Sequence, residues 1–347
     1  MRAFTCPVCD SPSFFENSVC LTCGTPIGFD RVAGAMFSLI PDSVDRLLTA
    51  VRLDGVQLHP CANRVLAECN WLAAEGSAAG LCDCCALTRT RPADSELPAL
   101  RSFARTEAAK RRLVYQLDDL GLPVTSRATD PAHGLAFDLL SSADQAVVTG
   151  HDDGVITIDL AEGDAGHREA MREQLAEPYR TLLGHVRHET GHWYWQVLVE
   201  GSADPTVLQR FRDAFGDERR DYAEALQRHY DNPPPPDWPD RFVSTYATAH
   251  PWEDWAETFA HLLHIRDTLQ TAAAYGVRAD DAHPTDDDLT FEQIIATWLP
   301  LSLALNQVNR SMGKDDLYPF VLSDGVLAKL RFVDDLVRRD LSAPGDP

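Results

Sequence analysis

The sequence has no continuous apolar stretch of the roughly 20 residues that a membrane helix requires, and positive charge is scarce. Lys and Arg total 31 against 53 Asp and Glu, which gives a formal net charge of −22. A surface of this sign repels phosphate backbones and anionic headgroups, so neither nucleic acid nor a membrane is expected as a partner. The first ten residues, MRAFTCPVCD, hold no apolar signal core. We therefore expect a cytoplasmic protein.

Cysteine is missing from the whole chain after residue 85, although the first 85 residues contain nine of them. An odd number of cysteines without an export signal argues against a framework of disulfides. Their segregation predicts two domains, a cysteine-rich zinc-ribbon domain at 1–95 and a second domain at 96–347.

The first four cysteines form two CxxC pairs, Cys6–Cys9 and Cys20–Cys23, separated by ten residues. Two such pairs can close a tetrahedral thiolate site around one ion. Gly24 follows the second pair, where the turn favours positive φ. The spacing predicts a structural Zn²⁺ site, with a rubredoxin-like iron site as the alternative, because the ligand geometry is the same.

A second set of cysteines has weaker spacing, because only Cys82–Cys85 forms a CxxC pair. With Cys61 and Cys69 it predicts a second structural zinc. Cys84 lies inside the pair and is interpreted as a spare thiol. His59 is an alternative ligand. Both cysteine sites have a full set of donors, so we expect them to supply stability.

The remaining sequence predicts an α+β fold that is mostly helical with a small β-sheet. The predicted strands form a meander or mixed sheet, and the region at 166–200 holds one or two helices. The predicted strands are Leu135–Leu140, Ala146–Thr149 and Val155–Leu160. The predicted helices lie at 99–121, 166–200, 205–230, 251–276, 289–312 and 324–341.

An HExxH motif spans 188–192, with the sequence HETGH. Residues four apart lie on one face of a helix, so His188 and His192 can both reach one metal ion. Glu189 projects about 100° away from His188, where it can take a proton from a metal-activated water and pass it to a leaving amine. These residue types in this order predict a catalytic zinc.

No histidine follows within 193–200, so the third ligand must be remote. The segment HPWEDWAETFAH at 250–261 offers Glu253 and Glu257, which are four apart and share a helical face. One can bind the zinc, and the other can accept the second N–H of a ligand histidine. His250, His261 and His264 are also near in the sequence.

The chain resembles the zinc-binding metallopeptidases that carry an N-terminal zinc-ribbon domain, and the resemblance spans nearly its whole length. The segments that carry it are CPVC, CLTCG, CANRVLAECNWL, LCDCCALTR, FGDERRDYAEAL, HPWEDWAETFAH and GKDDLYPFVLS. The chain departs from that family at Cys84, where the family usually has a small residue. This departure bears on which cysteines of the second set are ligands.

HETGH with a distant glutamate is also similar to the gluzincin metallopeptidases, and the lethal-factor-like branch shows a similar Glu-x-aromatic-Ala-Glu pattern. This resemblance implies that Glu253 is the zinc ligand and Glu257 the supporting residue, with the reverse order as the alternative. It further implies that Tyr246, seven residues before Glu253, stabilises the oxyanion. Tyr194, Tyr318 and His250 compete for that role.

Together these features predict a zinc-dependent metallopeptidase of the zincin type, with one catalytic and two structural zinc ions. Its expected partner is a peptide or protein substrate, and the ribbon offers a site for a second protein. A zinc-stabilised adaptor without catalysis is the alternative, although such a module has no use for Glu189. An amidase acting on other substrates by the same chemistry is a third possibility.

Overall fold

A computed structural model describes residues 1–41, 47–143, 145–174, 180–277 and 289–342. These residues form two compact units. The N-terminal unit comprises 2–115 and 124–171, and the C-terminal unit comprises residue 1, 116–123 and 172–347. The domains predicted from the sequence divide the chain elsewhere, at 95/96, and stay a prediction.

The first strands of the N-terminal unit, which lie between Phe4 and Ala74, are short and antiparallel. β1 pairs with β2, β3 pairs with β4, and β5 to β8 form a sheet in sequence order. The strands are β1 (Phe4–Thr5), β2 (Pro12–Ser13), β3 (Ile27–Asp30), β4 (Ala35–Ser38), β5 (Ile40–Pro41), β6 (Leu48–Val51), β7 (Gln57–Pro60) and β8 (Leu72–Ala74). Strands this short bury little apolar area on their own, so the segment depends on other sources of stability.

An aromatic cluster supplies part of the apolar core of this segment, beside an aliphatic cluster of Leu39, Ala50, Leu58 and Leu72. Phe29 lies at its centre, with its ring 5.1 Å from those of Phe15 and Trp71 and 5.9 Å from that of Phe4. Tyr115 joins from helix α1 (Leu97–Asp119), at 5.0 Å from Phe15. Tilted and edge-on ring pairs of this kind stabilise beyond their buried area.

The rest of the N-terminal unit is a mixed four-stranded sheet in the order β11–β12–β10–β9. β10 runs parallel to both β9 and β12, and β11 is antiparallel to β12. The elements are β9 (Thr88–Thr90), β10 (Ala136–Leu140), β11 (Gly150–Asp152), β12 (Val155–Asp159) and helix α2 (Ala165–Gln174). The predicted mixed sheet is confirmed. The predicted strand Ala146–Thr149 is wrong: the pairing strand is β11, whose register is fixed by the tight turn at Asp153–Gly154.

The C-terminal unit is helical. Its helices are α3 (Leu182–Trp195), α4 (Val207–Phe215), α5 (Tyr222–Asp231), α6 (Pro251–Ala274), α7 (Phe291–Ser311) and α8 (Asp324–Ser342), and a π-helical turn, Gln196–Glu200, follows α3. The single helix predicted at 205–230 is wrong. Gly216 has φ +103° and ends α4, and Asp221 begins α5 by accepting a hydrogen bond from the backbone N–H of Glu224. The α+β class, with small cysteine-bearing sheets followed by a mostly helical region, is confirmed.

Helices α3 and α6 pack closely at Gly191. A Cβ atom there would lie 3.1 Å from Cα of Ala256, which is tighter than ordinary contact. The backbone carbonyl of Gly191 also accepts a 2.8 Å hydrogen bond from Nε1 of Trp255. The glycine of the HETGH sequence therefore sets the distance between the two helices that carry the candidate site.

Within the described segments, no helix has both the length and the apolar character that a bilayer crossing requires.

Candidate metal centres

The first four cysteines come together in the N-terminal unit. Sγ of Cys6 lies 3.7 Å from Sγ of Cys23, and Cys9 and Cys20 are separated by the same distance. A zinc ion with four sulfurs at about 2.3 Å in a tetrahedron places those sulfurs about 3.8 Å apart. The donor set therefore fits zinc. Cys23 is exposed, so this cluster reaches the surface of the unit.

The second set also converges, and it is fully buried. The sulfurs of Cys61, Cys69, Cys82 and Cys85 all lie within 4.8 Å of one another, with 3.8 Å between Cys69 and Cys82. Backbone N–H groups point at these sulfurs, as from Cys82 to Cys61 at 3.3 Å. Such N–H groups favour thiolate over thiol, which is the form that binds zinc.

Two residues that the sequence left open for the second set lie outside it. Cys84 is buried, and burial raises the pKa of its thiol. His59 directs Nδ1 to the carbonyl oxygen of Pro60 at 3.2 Å. The departure at Cys84 from the resembled family therefore leaves the four-cysteine donor set complete.

The third donor group lies in the C-terminal unit and consists of His188, His192 and Glu253. Oε2 of Glu253 lies 3.0 Å from Nε2 of His188 and 3.5 Å from Nε2 of His192. Zinc with nitrogen and oxygen ligands at about 2.0–2.1 Å in a tetrahedron would separate its donors by about 3.4 Å. This set fits a zinc ion as well, and it supplies three donors instead of four.

Local structure explains this convergence. Thr181 begins α3 by accepting a hydrogen bond from the N–H of Gly184, so the two histidines fall one turn apart on a regular helix. His250 begins α6 in the same way through Nδ1, and Pro251 occupies the first turn. Glu253 therefore lies in the first turn of α6 and faces α3.

Glu257 lies one turn further along α6 and contacts the other nitrogen of a histidine. Its Oε1 is 2.8 Å from Nδ1 of His188, and its Oε2 accepts a 2.7 Å hydrogen bond from the hydroxyl of Ser244. Glu253 is thus the carboxylate beside the two Nε2 atoms, whereas Glu257 contacts Nδ1 on the opposite side of the His188 ring. The order implied by the resemblance, with Glu253 as the zinc ligand and Glu257 as the supporting residue, stays a prediction.

The electrostatics of this group favour a positive charge. Burial alone lowers the pKa of His188, but the hydrogen bonds with Glu253 and Glu257 outweigh burial and hold that pKa well above its usual value. Burial alone raises the pKa of Glu253, whereas the two histidines hold it well below its usual value. The cluster therefore stabilises a proton among its members, and a cation can take its place.

The proposed oxyanion residue, Tyr246, lies at this group, with its ring 5.9 Å from that of His188. Burial and the nearby carboxylates of Glu253 and Glu189 raise the pKa of its hydroxyl, which therefore stays protonated. Glu189 is half-buried on the same side.

Two residues that compete with Tyr246 for the oxyanion role, Tyr194 and Tyr318, form hydrogen bonds elsewhere. The hydroxyl of Tyr194 donates to the carbonyl of Pro123, and the hydroxyl of Tyr318 lies 2.7 Å from Nδ1 of His261.

Burial lowers the pKa of His261 to about 4, and it also lowers the pKa of His264, whose Nδ1 accepts a hydrogen bond from Arg187. These two histidines are neutral and support the packing of α6.

Sequence reasoning missed one residue at this site, Tyr222 on α5. Its hydroxyl donates a 2.8 Å hydrogen bond to Oε1 of Glu253. The segment FGDERRDYAEAL around it carried part of the family resemblance, but no local pattern connects it with a residue 31 positions downstream. Only the folded chain brings the two together.

Two family models match successive parts of the chain. The model of a family described as "Putative zinc-binding metallo-peptidase" matches residues 99–336, and a zinc-ribbon domain model matches residues 3–96. Proteins named as uncharacterized from Mycobacterium bovis and Mycobacterium tuberculosis are 52% identical over 340 residues, which cover 97% of this chain and 95% of theirs. No solved structure matches the chain significantly.

Proposed function

This chain belongs to the family described as "Putative zinc-binding metallo-peptidase", and on that premise we propose that it is a zinc-dependent peptidase of the gluzincin type. The observation that carries the proposal is the convergence of His188, His192 and Glu253 within reach of one ion, with Glu189 on the same helix. We propose one catalytic zinc at this group and one structural zinc at each four-cysteine cluster.

Three protein ligands favour a catalytic over a structural site, because zinc then keeps a position for water or substrate. When bound there, zinc supplies Lewis-acid chemistry, which polarises a carbonyl group and makes water a usable nucleophile near neutral pH. The chain's own residues must then orient the ligands, move protons and stabilise the developing charge.

Glu189 is the proposed general base and acid. It follows His188 directly on α3, so it projects from a neighbouring face of the helix toward the space beside the donor group. It would accept a proton from the attacking water and return it to the amine that leaves. A metal site that only stabilised the fold would not need this carboxylate.

Glu257 and Tyr246 have supporting and stabilising roles in this proposal. Glu257 accepts the Nδ1–H of His188, which fixes the tautomer with Nε2 free to bind the ion. Tyr246 offers a protonated hydroxyl beside the same histidine, where it can donate a hydrogen bond to the oxyanion. Removal of one such donor typically costs about 10²–10³ in turnover.

The cytoplasm stays the proposed compartment. All nine cysteines are free thiols in the structure, and zinc binding by four cysteines requires a compartment that keeps them reduced. The proposed substrate is a peptide or protein, and the net charge of −22 makes nucleic acid an unfavourable partner.

The decisive experiment replaces Glu189 by Gln. Wild-type protein and the variant are incubated with an unbiased mixture of peptides, and the cleaved bonds are identified by mass spectrometry. We expect the variant to keep its zinc and its unfolding temperature but to lose about 10²–10⁴-fold in cleavage rate. Glu200→Gln removes the same charge at an exposed position beyond α3 and serves as the matched control.

Two results would contradict the proposal in different ways. Cleavage by Glu189→Gln at the wild-type rate would remove Glu189 as the base. A wild-type protein that binds three zinc ions and cleaves no peptide bond would favour the adaptor, or an amidase acting on other substrates.

A further inference from the structure

Tyr222 occupies a position that the proposed chemistry does not yet use. It is the first residue of α5, and its hydroxyl donates to Oε1 of Glu253 at 2.8 Å. Glu253 is only 1% exposed, whereas Tyr222 is 40% exposed. The tyrosine therefore reaches inward from the surface to a buried carboxylate.

The two oxygens of Glu253 have different partners. Oε2 is the oxygen near the two imidazoles, at 3.0 and 3.5 Å from their Nε2 atoms. Oε1 is the oxygen that accepts from Tyr222. One oxygen is thus directed to the metal position, and the other is held away from it.

We propose that Tyr222 is a positioning residue that keeps Glu253 in a one-oxygen binding geometry, an inference that rests on the proposed function of this donor group. A carboxylate that binds with one oxygen leaves more room at the ion than one that binds with two. Tyr222 therefore preserves the position that the attacking water needs.

His250 fixes both ends of this hydrogen bond. Its Nδ1 accepts the N–H of Trp252, which begins the helix that carries Glu253. Its Nε2 donates to the carbonyl oxygen of Arg220 at 3.1 Å, two residues before Tyr222. The imidazole also packs edge-on against the Tyr222 ring, with 5.3 Å between the centroids. One side chain thus sets the positions of both donor and acceptor.

The far end of α5 is tied to the same region. His229 lies seven residues after Tyr222, on the same face of the helix. Its Nδ1 is 3.2 Å from the hydroxyl oxygen of Thr248, and its ring is 5.9 Å from that of Tyr246. Two contacts, two turns apart, therefore hold the helix along the site, so the direction of the Tyr222 hydroxyl is fixed by more than its own hydrogen bond.

The test is the zinc affinity of Tyr222→Phe, which removes only the hydroxyl. Zinc is withdrawn by titration with a competing chelator and counted by elemental analysis, and a His188→Ala variant identifies which ion belongs to this group. We expect about 10–100-fold weaker binding at this site, because Glu253 loses the hydrogen bond that orients its Oε2 toward the ion, with both cysteine sites and the unfolding temperature unchanged. Tyr275→Phe makes the same change at the C-terminal end of α6, at a residue 52% exposed, and should bind as the wild type does.

The outcomes separate this inference from the proposed function. If wild type holds the third zinc and Tyr222→Phe holds it equally tightly, the role of Tyr222 is wrong and the proposed function stands. If wild type and His188→Ala contain the same amount of zinc, the metal centre itself is wrong and both fall. A lower unfolding temperature at unchanged zinc affinity would assign Tyr222 a merely structural role and overturn the inference.

Discussion

The cysteine clusters and the histidine–glutamate group would hold the same kind of ion, the proposed zinc, in different ways. Each cysteine cluster offers four sulfurs at the spacing of a closed tetrahedron, so nothing else can bind. The group of His188, His192 and Glu253 offers three donors, and a further acidic residue, Glu189, follows His188 on α3. Under the proposed function, the number of donors, more than their identity, separates a site for stability from a site for chemistry.

The two cysteine clusters differ from each other in burial. A zinc ion with four thiolates carries a net charge of −2, and a buried charge requires compensation. The exposed edge of the first cluster, at Cys23, meets solvent. The second is fully buried and lies near the buried side chains of Lys110 and Arg111, and Lys110 pairs with the buried Glu107 at 2.6 Å. We interpret Arg111 as the cation that offsets part of the cluster's charge, whereas water does so at the first cluster.

The largest expected effect comes from opening the buried cluster with Cys82→Ser. Structural zinc sites contribute about 10–16 kcal/mol of apparent binding free energy, which is also folding free energy. We expect loss of one zinc and cooperative unfolding of the N-terminal unit, measured by elemental analysis and urea denaturation. Cys23→Ser, at the exposed edge, should destabilise less because water can reach the vacated position. Equal destabilisation by the two variants would break the distinction drawn from burial.

An intermediate effect is expected at the group of His188, His192 and Glu253, where loss of the zinc should leave the chain folded. Glu253→Ala should lose the zinc of this group, because only two ligands remain. Glu257→Ala should keep the ion with about 10–100-fold weaker affinity, since it removes only the partner of His188 Nδ1. Chelator titration and circular dichroism would measure both. Equal retention of this zinc in the two variants would reject Glu253 as the ligand.

The smallest expected effect comes from Gly191→Ala, which tests the contact between α3 and α6, the helices that carry His188, His192 and Glu253. The added Cβ would lie 3.1 Å from backbone of Ala256, so we expect the free energy of unfolding to fall by about 1–3 kcal/mol. Gly166→Ala on α2 is the control, because its Cβ would meet only the end of the Asp164 side chain. A variant at Gly191 as stable as the control would show that the helices can separate without cost.

Short-range patterns predicted much of this molecule. The cysteine spacing and the HETGH sequence each specify a geometry that one turn or one helix can deliver. Helix limits were predicted well where a cap or a proline marks them, as at Pro251. The predicted helix at 205–230 failed because Gly216 ends α4 within it. The predicted strand Ala146–Thr149 failed because the turn that follows selects Gly150–Asp152 as the pairing strand.

Long-range pairings could not be predicted in the same way. The resemblance implied Glu253 as the ligand, but the residues alone left Glu253 and Glu257 equivalent, since both lie on the same face of α6. Tyr222 was missed because its partner is 31 positions away and its own neighbours on α5 are mostly exposed.

The donor types, their pairing in CxxC turns and their spacing along one helix follow from local backbone geometry and can be read from the residues alone. Which carboxylate oxygen faces the imidazoles, which tyrosine holds the other oxygen and which cysteine cluster is buried emerge only in the folded chain. Those choices depend on the close packing of α3 against α6 and on the position of α5, which arise from contacts between residues far apart in the chain.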